Sequence, residues 1–108
     1  MAIIYVDIDH TICKTNGTDY VNAEPIQCAI DKVNSYYKRG DTIVYWTARG
    51  TGSGIDWSKE TTRQLNTWGA IYHELKFGKP VYDVFIDDKN INAEYWMDED
   101  YPHHLLDE

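Results

Sequence analysis

With 108 residues, 43% of them hydrophobic, the chain is long enough for one domain with a core but has little room for an inserted module. Lys and Arg number 10 against 18 Asp and Glu, and the formal charge of −8 disfavours broad attraction to nucleic-acid phosphates, leaving room only for a local basic pocket. No apolar run nears the ~20 residues that span a bilayer, and the N-terminus lacks the basic-then-apolar order of a signal peptide. Cys13 and Cys28 are too few for a disulfide framework or a zinc ribbon, so buried or unreactive thiols are expected. The expectation is a single cytoplasmic domain over 1–108, without membrane contact, closing in an acidic tail at about 98–108.

Ala2 to Asp7 is a nearly continuous apolar run, the pattern of a central parallel strand buried on both faces. It ends in Asp7-Ile8-Asp9, and the period-two alternation of a strand sends both carboxylates from one edge. Two like charges so close are costly unless a cation, a proton or a chemical task offsets them. Taken alone, the pattern fits a strand running into a polar turn. Cys13 to Ala23 is polar and turn-forming, a candidate flap. Pro25 suits a helix start, and Ile26, Ala29, Ile30, Val33, Tyr36 and Tyr37 recur at helical spacing up to Gly40. Thr42 to Trp46 is a second strand, ending in Thr47-Ala48-Arg49 and a glycine-rich loop. Asp56 is the expected N-cap of a helix whose Trp57, Thr61, Leu65 and Trp68 share a face. A short strand over Ala70 to Leu75 follows. A fourth strand is expected over Val81 to Asp87, with Val84, Phe85 and Ile86 as its buried centre, and then a short helix from Asn90 to Met97. This alternation predicts an α/β fold, a three-layer Rossmann-like domain with a mostly parallel central sheet. In such sheets ligands bind beyond the carboxyl ends of the strands. The strand ends here carry Asp7 and Asp9, Thr47, and Asp87 and Asp88.

Asp7-x-Asp9-x-Thr11, then Thr47, Lys79 and Asp87-Asp88, each at or just past a strand end, together resemble the haloacid dehalogenase superfamily of phosphohydrolases from Ile3 to about Trp96. The resemblance implies that Asp7 is a nucleophile forming an aspartyl-phosphate, which splits one hard displacement into two easier ones. Asp9 would protonate the departing alkoxide and then take a proton from water, which requires it to be protonated while Asp7 is ionised. Thr47 would donate to a phosphoryl oxygen, and Lys79 would neutralise charge between Asp7 and the phosphoryl group. Backbone N–H groups from Asp9 to Thr11 would cradle the phosphate. The implied cofactor is Mg²⁺, held by Asp7, the Asp9 backbone carbonyl, Asp87 and Asp88, with Asp88 favoured as the direct ligand.

The family pattern usually has Gly after the second Asp, where this chain has His10. The imidazole either narrows the cradle, adds a titrating donor to the substrate, or is an incidental surface side chain. The intervals after Thr11 and Thr47 are too short for a cap domain. The blocks Thr47-Ala48-Arg49-Gly50, Phe77-Gly78-Lys79-Pro80 and Ile86-Asp87-Asp88-Lys89 most resemble small capless phosphatases associated with capsule and surface-polysaccharide synthesis. That implies a sugar phosphate or related small substrate. His10, Thr11 and Arg49 are the substrate-binding candidates, Arg49 because its fork suits a second anion. Trp57 and Tyr20 are candidates for stacking on a sugar or base. A polynucleotide end phosphatase is the alternative enzyme, disfavoured by charge. A signalling receiver has the acidic pair first and the accepting Asp later, the reverse of the order here. A non-catalytic binding domain has His10 as its only support.

Overall fold

The structure is a computed structural model and describes residues 1–98. Its centre is a parallel three-stranded sheet in the order β1-β4-β5, formed by β1 (Ile3–Val6), β4 (Thr42–Trp46) and β5 (Glu74–Lys76). Tyr5 lies opposite Val44, and Val44 opposite Glu74. A two-stranded antiparallel ribbon, β2 (Cys13–Lys14) with β3 (Glu24–Pro25), follows the first strand. Pro25 therefore sits in a strand and not in the first helical turn. Its fixed φ and missing N–H are tolerated at such an edge, and α1 (Gln27–Lys38) starts two residues later.

Helical periodicity is realised closely in α1. Ala29, Ile30, Val33 and Tyr36 are buried against the sheet face that carries Val6, Ile43 and Tyr45. Each large apolar side chain so buried contributes roughly 1.5–3 kcal/mol. The helix ends at Gly40, whose φ of 105° lies outside the range most residues adopt. Its N–H bonds Tyr37 O while that of Asp41 bonds Tyr36 O, which satisfies the last carbonyls. α2 (Ser58–Thr67) buries Thr61, Gln64 and Leu65, an i, i+3, i+4 face. Asp56 Oδ1 accepts from the Ser58 N–H at 2.9 Å, so the expected capping carboxylate serves the helix start from just outside it.

Leu65 packs in the same cluster as Ile30 and Val33, and the Asn34 amide of α1 bonds the Gly69 carbonyl and the Ile71 N–H beyond α2. Both helices thus lie on one face of the sheet, because both crossovers step in the same direction. The parallel α/β architecture expected from the sequence is what forms. Among the described residues, α1 and α2 supply a helical layer on that face alone.

The fourth strand does not form. Residues 81–87 make no ladder, and Val84 and Ile86 are 72% and 93% exposed instead of buried. Local contacts replace sheet pairing. The rings of Tyr82 and Phe85 pack at 5.2 Å, the Lys89 N–H reaches Asp87 Oδ2, and the Asn90 amide reaches Phe85 O. Side-chain bonds of this kind compete with strand formation. The expected helix after it shortens to α3 (Ala93–Trp96), capped by Asn92 and anchored by Trp96, whose Nε1 donates to Tyr36 Oη at 3.0 Å. Beyond Asp98, the expected acidic tail lies outside the described residues. No helix among the described residues is long and apolar enough to cross a membrane.

The start of β1 is tied down by Asp41. It is buried, accepts from the Ala2 N–H at 2.9 Å and pairs with Arg39. Burial acts to raise its pKa, but the Arg39 and Ala2 bonds outweigh this and hold the carboxyl below its ordinary value. A lowered folded-state pKa contributes stability above the unfolded value of about 3.9, lost as pH falls through the folded one. Asp41→Asn is therefore expected to lower the melting temperature at pH 7. The gap to the parent chain should narrow in melts recorded at successively lower pH below the ordinary carboxyl value.

Candidate active site

The end of β1 turns sharply. Ile8 O accepts from the N–H groups of Thr11 and Ile12, at 3.2 and 3.0 Å, and His10 N–H bonds Cys13 O at 2.8 Å. Ile8 and Ile12 are fully buried beneath this turn. That burial holds Asp7 and Asp9 at its rim. His10 has φ 65°, the only positive φ on a non-glycine residue among those described. The left-handed region costs a residue with a Cβ roughly 1–2 kcal/mol, so the glycine usual at this position in the resembled family has a conformational reason. The His10 side chain is exposed.

Asp7, Asp9, His10, Thr11, Lys79 and Asp87 line one trough of about 1140 Å³ running along β1. Asp7 Oδ2 lies 3.2 Å from Lys79 Nζ, and its Oδ1 accepts from the Ile8 N–H at 2.8 Å. Burial works to lower the Lys79 pKa, but the Asp7 charge and Tyr82 outweigh it, so the ammonium is held above its usual range and stays protonated. Lys79 also lies over the rings of Tyr82 and Trp46, at 5.4 and 5.9 Å. Its position comes from the turn after β5. Thr47 N–H bonds Lys76 O, Lys79 N–H bonds Thr47 O, and Thr51 Oγ1 donates to Lys79 O.

Asp9 occupies a different environment. Arg49 Nε donates to Oδ2 at 3.0 Å and Nη2 to Oδ1 at 2.9 Å, while Thr15 Oγ1 donates to Oδ1 at 2.5 Å. Burial pushes the Asp9 pKa upward, but the bonds from Arg49 and Thr15, with the guanidinium charge, outweigh it and leave the carboxyl below its ordinary value. The expectation of a protonated Asp9 beside an ionised Asp7 is corrected here. Asp9 is the member of the pair clamped by a buried guanidinium.

Several other candidates stand elsewhere than expected. Arg49 is 2% exposed and committed to internal partners, so it is not a surface fork awaiting a second anion. Thr47 is fully buried behind the trough, its hydroxyl accepting from the Arg49 N–H at 3.1 Å. Tyr20 and Trp57 pack edge to face at 5.0 Å, with Tyr20 over the Arg49 guanidinium at 4.8 Å. They wall in the arginine instead of offering free stacking faces. Gly50, at φ 83°, is required beside them, because a Cβ there would lie 2.1 Å from Ile55 O. Cys13 is buried and Cys28 is exposed, both as free thiols. Thr15, Thr61 and Gln64 were missed as site residues. The only sequence signal for the latter two was polar side chains on the inward face of an amphipathic helix.

Both Asp87 and Asp88 are exposed, and of the two only Asp87 lines the trough. It is thus Asp87, and not the favoured Asp88, that lines the trough, the segment carrying the pair having not joined the sheet. The carboxylate donors on the trough suit a hard cation. No three His, Cys, Asp or Glu side chains converge on one point among the described residues.

Fold and site together define an α/β domain with its polar residues gathered at the carboxyl end of a parallel sheet. A crystal structure of a structural-genomics target from Vibrio cholerae is similar to it, with 28% identity over 99% of this chain and 98% of that one and a TM-score of 0.81. No family model matches the chain, and no curated protein does.

His10→Gly is expected to leave stability unchanged or to raise it by up to about 1 kcal/mol, relief of the left-handed strain being partly offset by glycine's freer unfolded state. Urea unfolding checks this. A clear loss would show that the imidazole makes contacts worth more than the strain.

Proposed function

We propose that the protein is a Mg²⁺-dependent phosphomonoester hydrolase acting through an aspartyl-phosphate on a sugar phosphate or related small metabolite. The observation that carries the reading is the pairing of two neighbouring carboxylates with unequal surroundings. Asp7 stands against a protonated lysine at 3.2 Å, while Asp9 is clamped by an arginine. Adjacent carboxylates in different environments are the arrangement that separates a nucleophile from a proton-transfer group.

In this mechanism an Asp7 oxygen attacks phosphorus and the ester P–O bond breaks. Asp9, ionised in the free protein, takes a proton from solvent as the approaching phosphate dianion raises its proton affinity, and passes it to the leaving alkoxide. Lys79 offsets negative charge as the dianion approaches Asp7. The second half begins with Asp9 ionised against Arg49. It accepts a proton from the water that attacks phosphorus, the acyl-phosphate P–O bond breaks, and inorganic phosphate leaves with both carboxyl groups restored. Backbone N–H groups of the His10–Thr11 turn are suited to the phosphoryl oxygens, with Thr47 bracing the arginine behind. Mg²⁺, when bound, would supply further charge neutralisation, and Asp7 and Asp87, among the carboxylates that line the trough, would hold it.

Hydrolysis of an aryl phosphate is expected to require Mg²⁺ and to stop when a chelator is added. Activity that survives chelation would remove the metal from the mechanism. Asp7→Asn is expected to lower turnover by at least about 10³-fold, of the order seen when an essential nucleophile is lost, with an unaltered circular-dichroism spectrum. Wild-type turnover in that variant would refute the nucleophile assignment. A panel of sugar phosphates, nucleotides and 3′-phosphorylated oligonucleotides identifies the substrate class. Preference for the oligonucleotides would overturn the small-metabolite reading.

A further inference from the structure

Arg49 is the largest fully buried side chain among the described residues. A guanidinium has five N–H donors and no acceptor, and those of Arg49 are taken up inside the protein. Nε and Nη2 serve the two Asp9 oxygens. Nη1 reaches Thr61 Oγ1 at 3.1 Å and Gln64 Oε1 at 2.6 Å, and Nη2 also approaches Cys13 Sγ at 3.9 Å. No donor remains for a ligand. The network continues outward, since the Gln64 amide donates to Tyr20 O while the Tyr20 ring covers the guanidinium. Asp9 is filled unevenly. Its Oδ1 receives Arg49 and Thr15, with Cys13 at 3.5 Å, whereas Oδ2 receives Arg49 alone.

We infer that Arg49 is a positioning residue that transmits the placement of α2 to the Asp9 carboxylate, locking Oδ1 and leaving Oδ2 as the oxygen with coordination to spare for the reacting groups. The inference rests on the hydrolase reading above. A bidentate fork fixes the plane of a carboxylate as well as its distance, which a single ammonium does not. Thr61 and Gln64 are the far end of the clamp. They hold Nη1 from the side opposite Asp9, so the guanidinium cannot turn about its own stem. The arginine acts through Asp9 and touches no substrate.

The test is steady-state hydrolysis of an aryl phosphate with Mg²⁺ by the parent chain, Arg49→Lys and Gln64→Leu, each with a thermal melt. Loss of Asp9 orientation removes an interaction needed in the transition state and not in substrate binding. Both variants are expected to lose at least about tenfold in kcat with KM within about twofold, Gln64→Leu while still carrying the arginine. If Arg49→Lys fails to fold, Gln64→Leu alone decides. A rise in KM with kcat retained would overturn the inference in favour of direct substrate binding, and an unchanged kcat would reduce Arg49 to a packing role. An inactive parent chain would instead sink the hydrolase reading itself.

Discussion

The buried ion pair between Arg49 and Asp9 is the constraint around which the polar half of the molecule is arranged. A guanidinium withdrawn from water is strongly destabilising unless its charge is matched and its donors are satisfied. Asp9 supplies the charge, and Thr61, Gln64 and Cys13 take the remaining donors. Arg49 itself follows β4, and these partners come from the turn after β1, from β2 and from α2. One side chain therefore sets how these parts of the chain meet: removing Asp9 leaves a charge buried without its counterpart, and removing Thr61 or Gln64 leaves a buried donor unsatisfied. The same demand accounts for polar Thr61 and Gln64 on a helix face that would otherwise be apolar.

Asp7 faces different physics two residues away. Its partner is a lysine, a flexible point charge on a loop instead of a buried fork. Lys79 sits where hydrogen bonds from Thr47 and Thr51 anchor its backbone and where the rings of Trp46 and Tyr82 accept its charge. Asp7 thus remains at the wall of the trough with a single-point counter-ion, while Asp9 is held from behind by a fork. A site built this way keeps one carboxylate open to an incoming group and the other fixed in plane. Both properties depend on the turn at Ile8–Cys13, whose buried isoleucines fix the rim and whose His10 adopts a backbone conformation better suited to glycine.

Much of the fold was legible because its signals are local. The spacing of Ala29, Ile30, Val33 and Tyr36 is enough to define a helix face, and the run from Thr42 to Trp46 reads as a strand in any context that can pair it. Strand ends were legible too, and with them the positions of Asp7, Asp9, Thr47 and Lys79. Val81 to Ile86 shows the limit. Its composition is that of a strand, but a strand exists only when an edge accepts its hydrogen bonds. That requirement is non-local, and here side chains within 82–90 supply the competing contacts.

The site divides in the same way. Composition and spacing by themselves determined that carboxylates, a threonine and a lysine would gather at the carboxyl ends of parallel strands, because strand periodicity and chain direction place them there. Only the tertiary structure decided which groups would be working surfaces and which supports. Arg49 reads from the sequence as a fork for an anion, and its anion proved to be Asp9, 40 residues earlier in the chain. Tyr20 and Trp57 read as stacking faces and became walls. Asp9 reads as an acid awaiting its proton and is an ionised partner. A residue's type announces the interactions it can make. Burial and the identity of its neighbours, which no local pattern encodes, select among them.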